Sequence, residues 1–427
     1  MTKHKNQIYS WAKDLFPINR SLTGHGNITT LKYIKKIVPK LKIINFKSGK
    51  KVFDWVVPKV WNVSKAYVQD RTGKKIIDFK KNNLHIVGYS SYVNKTIPLE
   101  ELRKHLHFIK NQPNAIPYIT SYYKDYWGFC VSYNQLKKIK KDRYKVLIDS
   151  KFTKGNLNIG EIFIKGSSDK EILLSTNICH PSMGNNELSG IVVTMAIAKF
   201  LNHKKNYYSY RILFLPETIG SIAYLSKNYK ILRKKVVGGL NIVCVGTNAL
   251  FSFLPSKYED TITDKICLHV LKHYSKKFKK YSFLDRGSDE RQYCSPGIEL
   301  PICSVMRSKY GTYKEYHTSL DNLNFINAKG LNSSYEMILK ILNCFEINKK
   351  YKTTFFCEPK LGKYNLYHLL SDKKNYASSS LYKDILTYCD GKNDLVDIAN
   401  LLNKNVFDVY NSIKILKKNN LISISRN

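Results

Sequence analysis

The chain has 427 residues and carries 71 Lys and Arg against 32 Asp and Glu, which gives a formal net charge of +39. Hydrophobic residues make up 43% of the chain and aromatic residues 13%, so a substantial buried core can form and a wholly disordered protein is excluded. The nine cysteines form no CxxC pair, and the first residues lack the apolar segment of a secretory signal. We therefore expect reduced thiols, a cytoplasmic location and no membrane insertion.

The basic residues are spread along the whole chain and are accompanied by many Asn and Ile. This distribution indicates a drift in composition more than a nucleic-acid site, so nucleic acid is not the expected partner. The region from Asp285 to Asp321 differs, because its six acidic and five basic residues give a net charge of −1. Carboxylates kept in so basic a chain indicate a use, and the positive surroundings favour a negatively charged substrate.

The predicted elements change in character along the chain. Residues 1–44 have apolar positions at helical spacing, and residues 45–135 have the short alternating strands of an inserted β-rich domain. From 136 to 360, near-continuous apolar strands alternate with helices. Together with residues 1–44, this pattern predicts an α/β domain whose mostly parallel central sheet is flanked by helices.

Residues 361–427 are predicted to form a separate winged helix-turn-helix domain. The patterns that indicate its three helices and its strand are Leu381–Cys389, Leu395–Leu402, Val406–Leu416 and Leu421–Ser425. Residues 371–427 hold nine basic and six acidic groups, a net charge of +3, and Asp408 lies near the start of the third helix. Because base-reading side chains usually lie at that end of a recognition helix, the pattern favours protein contact over DNA binding.

Polar loops that follow the predicted strands are where ligands of such a sheet bind. His180 follows a buried strand, and Asn186 and Glu187 lie at the start of the next helix, which is ligand chemistry for zinc. The same two residues could instead cap that helix. Glu217 follows another strand and could be a metal ligand, a general base or a partner of a helix dipole.

Two further loops add candidate ligands. Asp289 lies among adjacent opposite charges that could also form a structural ion-pair loop, and His317 precedes the last helix of the α/β region. A lone histidine is more often a hydrogen-bonded structural residue than a ligand. Four such loops at one edge of a sheet, however, make a common site a stronger prediction than any one loop does.

These loops belong to a longer series of motifs that occur in a fixed order along the chain. They are Leu15–Gly24, Phe53–Trp55, Ser121–Tyr123, Cys179–His180, Asn186–Gly190, Pro216–Ser221, Ser288–Glu290, Pro296–Ile298, Tyr316–Thr318, Asp321 and Cys357–Gly362. As a set they resemble the zinc aminopeptidase superfamily. Over essentially the whole chain they resemble its bacterial branch with an inserted β module and a C-terminal winged helix, which is often linked to surface-polysaccharide biosynthesis loci.

The resemblance implies that His180 and His317 are zinc ligands. It also implies that Glu217 is the base or ligand of a glutamate pair, which is reduced here to Glu217 and Thr218. Asn186 stands where the superfamily has a bridging aspartate. Two zinc ions held by two neutral histidines and one glutamate would leave about +3 charges unneutralised, so we expect one ion.

The remaining roles are divided between carboxylates and substrate-binding side chains. Asp289 or Glu187 would complete the metal site or act as the base. Arginine can bind carboxylate or phosphate through two parallel hydrogen bonds. The candidates for substrate binding are Arg20, Arg286, Arg291 and Tyr316, and the three arginines could equally pair with nearby acidic residues.

These features predict a zinc-dependent, aminopeptidase-like hydrolase of a peptide or amide bond. The expected substrate is a small peptide or an amide-bearing glycan intermediate, with an aminoacyl or N-acyl group as the target in surface-polysaccharide metabolism. The alternative is a catalytically eroded binding protein whose winged helix contacts a protein or DNA. The sequence leaves the oligomeric state open, including a homo-oligomer.

Overall fold

The computed structural model describes residues 2–366 and 373–425. Its α-helices are α1 (Thr2–Leu15), α2 (His25–Ile37), α3 (Leu99–Arg103), α4 (Tyr133–Lys137), α5 (Ser189–Asn202), α6 (Ile219–Lys235), α7 (Ile262–Tyr274), α8 (Glu290–Tyr293), α9 (Ala328–Ile347), α10 (Lys373–Tyr388), α11 (Leu395–Leu401) and α12 (Val406–Lys418). Within these two ranges, no helix has both the length and the apolar character of a bilayer span.

The strands divide among one large sheet and four smaller ones. They are β1 (Lys42–Lys47), β2 (Lys51–Val52), β3 (Trp55–Val56), β4 (Val60–Gln69), β5 (Lys75–Asp78), β6 (Val93–Pro98), β7 (Leu106–His107), β8 (Phe129–Cys130), β9 (Arg143–Thr153), β10 (Asn156–Ile164), β11 (Glu171–Asn177), β12 (Ser209–Leu215), β13 (Val236–Asn241), β14 (Phe251–Leu254), β15 (Phe278–Lys280), β16 (Ile302–Met306), β17 (Lys350–Thr353), β18 (Asp390–Asp394) and β19 (Ile422–Ile424).

The large sheet has eight strands in the order β1-β10-β12-β11-β13-β16-β14-β15. Its four central strands, β12, β11, β13 and β16, are parallel, whereas β10 and β14 pair antiparallel with their central neighbours. Every residue of β11 is buried, as expected for a strand covered on both faces. The predicted α/β class with a central sheet and flanking helices is confirmed, and the parallel arrangement is confined to the centre of that sheet.

The register of two central strands places two of the predicted loops side by side. In the parallel pair of β11 and β12, Asn177 lies opposite Leu215, and the Ile178 N–H donates to the Leu215 carbonyl at 2.9 Å. The chain continues from these neighbouring ends to His180 and to Glu217. The candidate site therefore begins at the carboxyl edge of the sheet, where loops after parallel strands converge.

A four-stranded antiparallel sheet, in the order β5-β4-β9-β6, forms the β-rich module. It includes β9, which lies beyond the predicted boundary at residue 135. The long loop of this module returns to the large domain, because the Tyr118 N–H donates to the His317 carbonyl and the Ser319 N–H donates to the Ile116 carbonyl, both at 2.8 Å. The insert thus reaches one of the predicted site loops.

The chain divides into two compact units, residues 1–259 with 279–336 and residues 260–278 with 337–427. In the second unit, α10, α11 and α12 accompany a three-stranded sheet in the order β18-β17-β19. An Asp394 capping box starts α11, and the Asn405 side chain caps α12. These elements form the predicted winged helix; residues 367–372 and 426–427 of the predicted 361–427 domain lie outside the described residues.

Gly190 allows α5 to start directly against the sheet. A Cβ atom added at Gly190 would lie 2.3 Å from the Ile242 carbonyl oxygen and 2.5 Å from Thr176 Oγ1. We expect Gly190→Ala to lower the free energy of unfolding by about 1–3 kcal/mol through overpacking, measured by urea denaturation. Gly362→Ala is the control, since a Cβ at Gly362 would meet no atom of the described residues within 4 Å. Equal stability of the two variants would contradict this account of the packing.

Candidate active site

His180 is held in one orientation by the carboxylate of Glu187. Glu187 Oε2 accepts hydrogen bonds from the His180 backbone N–H at 2.6 Å and from the Cys179 N–H at 2.8 Å. The same oxygen lies 2.6 Å from His180 Nδ1. A proton on Nδ1 satisfies this contact, which leaves Nε2 with a free lone pair. An imidazole fixed in this way by a carboxylate is typical of a metal-binding histidine.

Arg20 completes this arrangement from the N-terminal region. Its Nε donates to Glu187 Oε1 at 3.2 Å and to the His180 carbonyl at 3.1 Å, and both Arg20 and Glu187 side chains are fully buried. Burial opposes the charged forms, but His180 and Arg20 hold the pKa of Glu187 below its usual value. Burial likewise opposes a charged His180, but Glu187 outweighs it and raises the pKa of His180.

The Glu217 carboxylate lies near Nε2, the second ring nitrogen of His180. Its Oε2 lies 3.7 Å from His180 Nε2, and its Oε1 accepts a hydrogen bond from Ser288 Oγ at 2.7 Å. The next residue, Thr218, has φ at +65°, an uncommon backbone conformation for a β-branched residue. Its N–H donates to Asp289 Oδ1 at 2.8 Å, so a buried carboxylate stabilises the turn that carries Glu217.

His317 faces the same space from the loop before α9. Its ring centroid lies 5.3 Å from that of His180, and the Tyr118 ring lies 5.2 Å from each of the two histidine rings. The Tyr316 ring stacks on His317 at 3.9 Å. His317 Nε2 is buried, and none of the residues that the structure describes forms a hydrogen bond with it. Burial, together with His180, lowers the pKa of His317 to about 3, which keeps the imidazole neutral.

The side chains of His180, Glu217 and His317 line one cavity of about 350 Å³. The full lining comprises Leu22, Trp55, Tyr118, Thr120, Tyr122, Tyr123, Cys179, His180, Glu217, Thr218, Ile219, Arg291 and His317. The structure therefore brings His180, Glu217 and His317 to one place, although 137 positions separate the two histidines along the chain.

The donor atoms suit a divalent metal ion to different degrees. Ligand atoms of a tetrahedral zinc ion are about 3.3 Å apart, and the 3.7 Å between His180 Nε2 and Glu217 Oε2 is close to that value. Among the described residues, the donor set whose atoms all lie within 4.8 Å of one another is Cys179, His180 and Glu187, and His317 is not part of it. That set is a hydrogen-bonded cluster, because 2.6 Å between Nδ1 and Oε2 is too short for two ligands of one ion.

Asn186 and Asp289, which sequence reasoning proposed as ligands, lie outside the cavity lining. The Asn186 side chain contacts sulfur atoms, with Nδ2 at 3.8 Å from Met183 Sδ and Oδ1 at 3.9 Å from Cys244 Sγ. Asp289 also accepts from Ser221 Oγ at 2.7 Å, and burial together with Glu217 raises its pKa to about 7. Its position fits support of the Glu217 turn better than direct ligation.

Of the four candidates for substrate binding, Arg291 alone lines the cavity. Arg20 is buried in an ion pair with Glu187 and lies outside the cavity lining, so the structure shows its predicted alternative of pairing with an acid and not substrate binding. Arg286 is exposed, with its guanidinium carbon 5.1 Å from the Phe283 ring centroid. Tyr316 lies against His317 and supports that ring.

Sequence reasoning missed the aromatic wall that the β-rich module contributes. Trp55, Tyr118, Tyr122 and Tyr123 come from this module and line the cavity. A signal was present for three of them, since Phe53–Trp55 and Ser121–Tyr123 are among the motifs that carry the family resemblance. Their meeting with His180 depends on how the insert folds back, which local patterns do not encode.

Two family models and a named relative match this chain. A family model described as a domain of unknown function (DUF4910) matches residues 9–348, and a winged helix-turn-helix model matches residues 349–424. A Clostridium acetobutylicum protein, provisionally named a polysaccharide biosynthesis protein with an aminopeptidase-like domain, is 46% identical over 395 residues, which is 92% of this chain and 90% of that protein.

Solved structures show the same fold. A crystal structure from Clostridium acetobutylicum, provisionally named a peptidase, has a TM-score of 0.93 at 42% identity and covers 99% of this chain and 97% of that one. The zinc aminopeptidase of Bacillus subtilis has a TM-score of 0.58 at 11% identity and covers 80% of this chain and 94% of that one. The predicted aminopeptidase-like fold with a C-terminal winged helix is confirmed.

The buried ion pair of Arg20 and Glu187 leads to a prediction about stability. Arg20→Ala leaves the Glu187 carboxylate buried without its cationic partner, so we expect a loss of about 3–5 kcal/mol in the free energy of unfolding, measured by urea denaturation. Arg71→Ala is the matched control, because the ion pair of Arg71 with Asp142 is largely exposed. Its removal should cost less than about 1 kcal/mol. Similar losses in both variants would refute the assignment of a structural role to Arg20.

A second prediction concerns Asp321, which accepts hydrogen bonds from the backbone N–H groups of Asn185 at 2.5 Å and Asn186 at 2.9 Å. Burial raises its pKa from 3.8 to about 6. The protonated form therefore stabilises the fold below about pH 4, and this contribution is lost as the pH rises through 6. Asp321→Asn is uncharged throughout, so its stability relative to wild type should improve by up to about 3 kcal/mol between pH 4 and pH 7.

The measurement is urea denaturation of both proteins across that pH range. Asp70→Asn serves as the control, since hydrogen bonds from Thr72 lower the pKa of the exposed Asp70 and its difference should change in the opposite direction. A stability difference between Asp321→Asn and wild type that did not depend on pH would contradict the argument.

Proposed function

The chain belongs to the family described as a domain of unknown function, DUF4910, and we propose that it is a metal-dependent hydrolase that cleaves an amide bond in a small substrate. One observation carries the proposal. A histidine whose Nδ1 is held by the buried Glu187 directs Nε2 toward Glu217 Oε2 at 3.7 Å, in a cavity that His317 also lines. Two imidazole nitrogens beside a carboxylate are the donor chemistry of a catalytic zinc site.

The residues that would hold one zinc ion are His180, Glu217 and His317. His180 would bind through Nε2 and Glu217 through Oε2, while His317 offers a buried Nε2 that has no hydrogen-bond partner within residues 2–366 and 373–425. When bound, a zinc ion supplies Lewis-acid polarisation of the scissile carbonyl and lowers the pKa of water. The protein residues position the substrate and handle the proton.

Glu217 is the carboxylate placed to move that proton. Its Oε1 is oriented by the Ser288 hydroxyl and keeps a second lone pair, which can take a proton from an attacking water and return it to the leaving amine. Glu187 is less suited to this role, because four donors already surround it and its side chain is fully buried. We therefore assign Glu187 and Arg20 to the orientation of His180.

The biological substrate is proposed from the name of a relative. The Clostridium acetobutylicum protein at 46% identity is named for polysaccharide biosynthesis. A glycan intermediate that carries an aminoacyl or N-acyl group would be a substrate for amide hydrolysis in polysaccharide biosynthesis. A role for the winged helix in protein contact, and a cytoplasmic location, remain predictions from the sequence.

Metal content provides the first test. Protein purified without chelator or nickel affinity should contain about one zinc ion per chain, because two histidines and a carboxylate make a complete protein ligand set. His180→Ala should lose the ion, whereas His203→Ala, which removes an exposed histidine, should keep it. Element analysis measures both. Wild-type protein without stoichiometric metal would favour the alternative of a binding protein with an eroded site.

Glu217→Gln tests the role of the carboxylate. The amide keeps the shape of the side chain but cannot take a proton, so we expect amide hydrolysis to fall by about 10²–10⁴-fold. Release of amine from a panel of N-acyl amino sugars and aminoacyl amides measures the rate. Activity of Glu217→Gln within a few fold of wild type would exclude Glu217 as the base.

A further inference from the structure

Arg291 presents an incompletely satisfied cation to the cavity. Its Nη2 donates to Thr218 Oγ1 at 2.6 Å, while its Nε is buried without a hydrogen-bond partner among the described residues. The guanidinium makes no ion pair with any carboxylate in the part of the chain that the structure describes. Arginine is well suited to bind a carboxylate through two parallel hydrogen bonds. Because Arg291 lines the cavity, its unpaired charge indicates an anion that comes from outside the chain.

Among the described residues, Glu217 is the carboxylate that lines the same cavity. Its Oε1 accepts a hydrogen bond from Ser288 Oγ, and its Oε2 lies 3.7 Å from His180 Nε2. An ammonium would meet the guanidinium of Arg291 without a second carboxylate to bind it. The charges of the cavity therefore disfavour a free N-terminus and favour an anion.

The aromatic wall indicates how the rest of the substrate lies. Trp55 and Tyr123 are 41% and 56% exposed, and their ring centroids are 6.3 Å apart. Trp55 also lines a neighbouring cavity of about 250 Å³ that Phe53 and Ile222 share. Exposed aromatic faces between two cavities suit a substrate that extends past Trp55 and packs an apolar face on it.

We propose that this site selects amide substrates that carry a carboxylate, and that Arg291 is the residue that binds this carboxylate. The proposal rests on the proposed hydrolase function, but it concerns the charge that the substrate must have. It predicts that an acidic N-acyl compound is preferred over a compound with a free amino group. The carboxylate could belong to an acidic sugar or to an acidic peptide.

The test uses three amides that differ only at the amino end: alaninamide with its ammonium, N-acetyl-alaninamide without charge, and N-succinyl-alaninamide with a carboxylate. Titration calorimetry with the full-length protein should show the succinyl compound to bind at least about tenfold more tightly than the acetyl compound, and alaninamide to bind most weakly. Arg291→Gln should remove the preference for succinyl, so that the ratio of the succinyl and acetyl affinities falls to about one. Arg291→Lys, which keeps the charge, should retain part of it.

Arg233→Gln is the matched control, since Arg233 is exposed on α6 outside the cavity lining. It should bind all three amides as wild type does, and thermal unfolding should show that every variant is folded. The proposal is overturned if the succinyl compound does not bind, if alaninamide binds as tightly, or if the preference persists in Arg291→Gln.

Product analysis of the same amides separates this inference from the hydrolase proposal, because hydrolysis of the carboxamide releases ammonia and hydrolysis of the N-acyl bond releases alaninamide. Binding of the succinyl compound through Arg291 without hydrolysis would support the inference and count against the hydrolase. Equal hydrolysis of all three amides by wild type and Arg291→Gln would support the hydrolase and overturn the inference. An N-acylated aminohexuronic acid and N-acetylglutamate then distinguish the two sources, because either supports a carboxylate requirement and the tighter ligand identifies a sugar or a peptide.

Discussion

The candidate site depends on one buried chain of charges, from Arg20 through Glu187 to His180. Removing an ion from water costs several kcal/mol, and the fully buried Arg20 and Glu187 side chains both incur this cost. It is offset because Glu187 accepts from four donors, which come from Arg20, Cys179 and His180. The contacts join the segment after α1, the end of β11 and the start of α5. These contacts hold the imidazole of His180 in one orientation in the folded protein. Its Nε2 therefore faces the cavity before any ligand binds.

Buried carboxylates support the surrounding loops in the same manner. Asp321 binds the N–H groups that start the turn before α5, and Asp289 binds the strained Thr218 after β12. Glu290 accepts from the N–H groups of Gly287 and Ser288. The acidic residues that distinguish the region from Asp285 to Asp321 therefore serve mainly as acceptors for loop backbone. These hydrogen bonds hold Glu217 and Ser288 in position, because a buried backbone N–H without a partner would destabilise the loop.

Features that repeat locally could be predicted from the sequence, and features that require distant contacts could not. The apolar run of β11 followed by His180, and that of β12 followed by Glu217, located two side chains at one sheet edge because parallel strands end together. Nothing local separates a guanidinium that binds substrate from one that pairs with a buried acid, so the sequence leaves both roles open for Arg20. Its role depends on Glu187, which is 167 positions away. Tyr118 was missed for the same reason, because a hydrogen bond to the His317 loop brings it to the site.

Asn186 and Thr218 stand at two positions where the zinc aminopeptidase resemblance leads us to expect carboxylates, and neither residue is charged. Each missing carboxylate removes one negative charge from the neighbourhood of His180. Two divalent ions would then face mainly Glu217, and repulsion between them would exceed what one carboxylate offsets. If one ion of charge +2 is bound, the negative charge of Glu217 cancels the positive charge of Arg291. The cavity would then keep the net positive charge of the ion. Under both proposals the absence of these two carboxylates has the same electrostatic consequence: one ion is expected at the metal site, and an anion is the expected substrate.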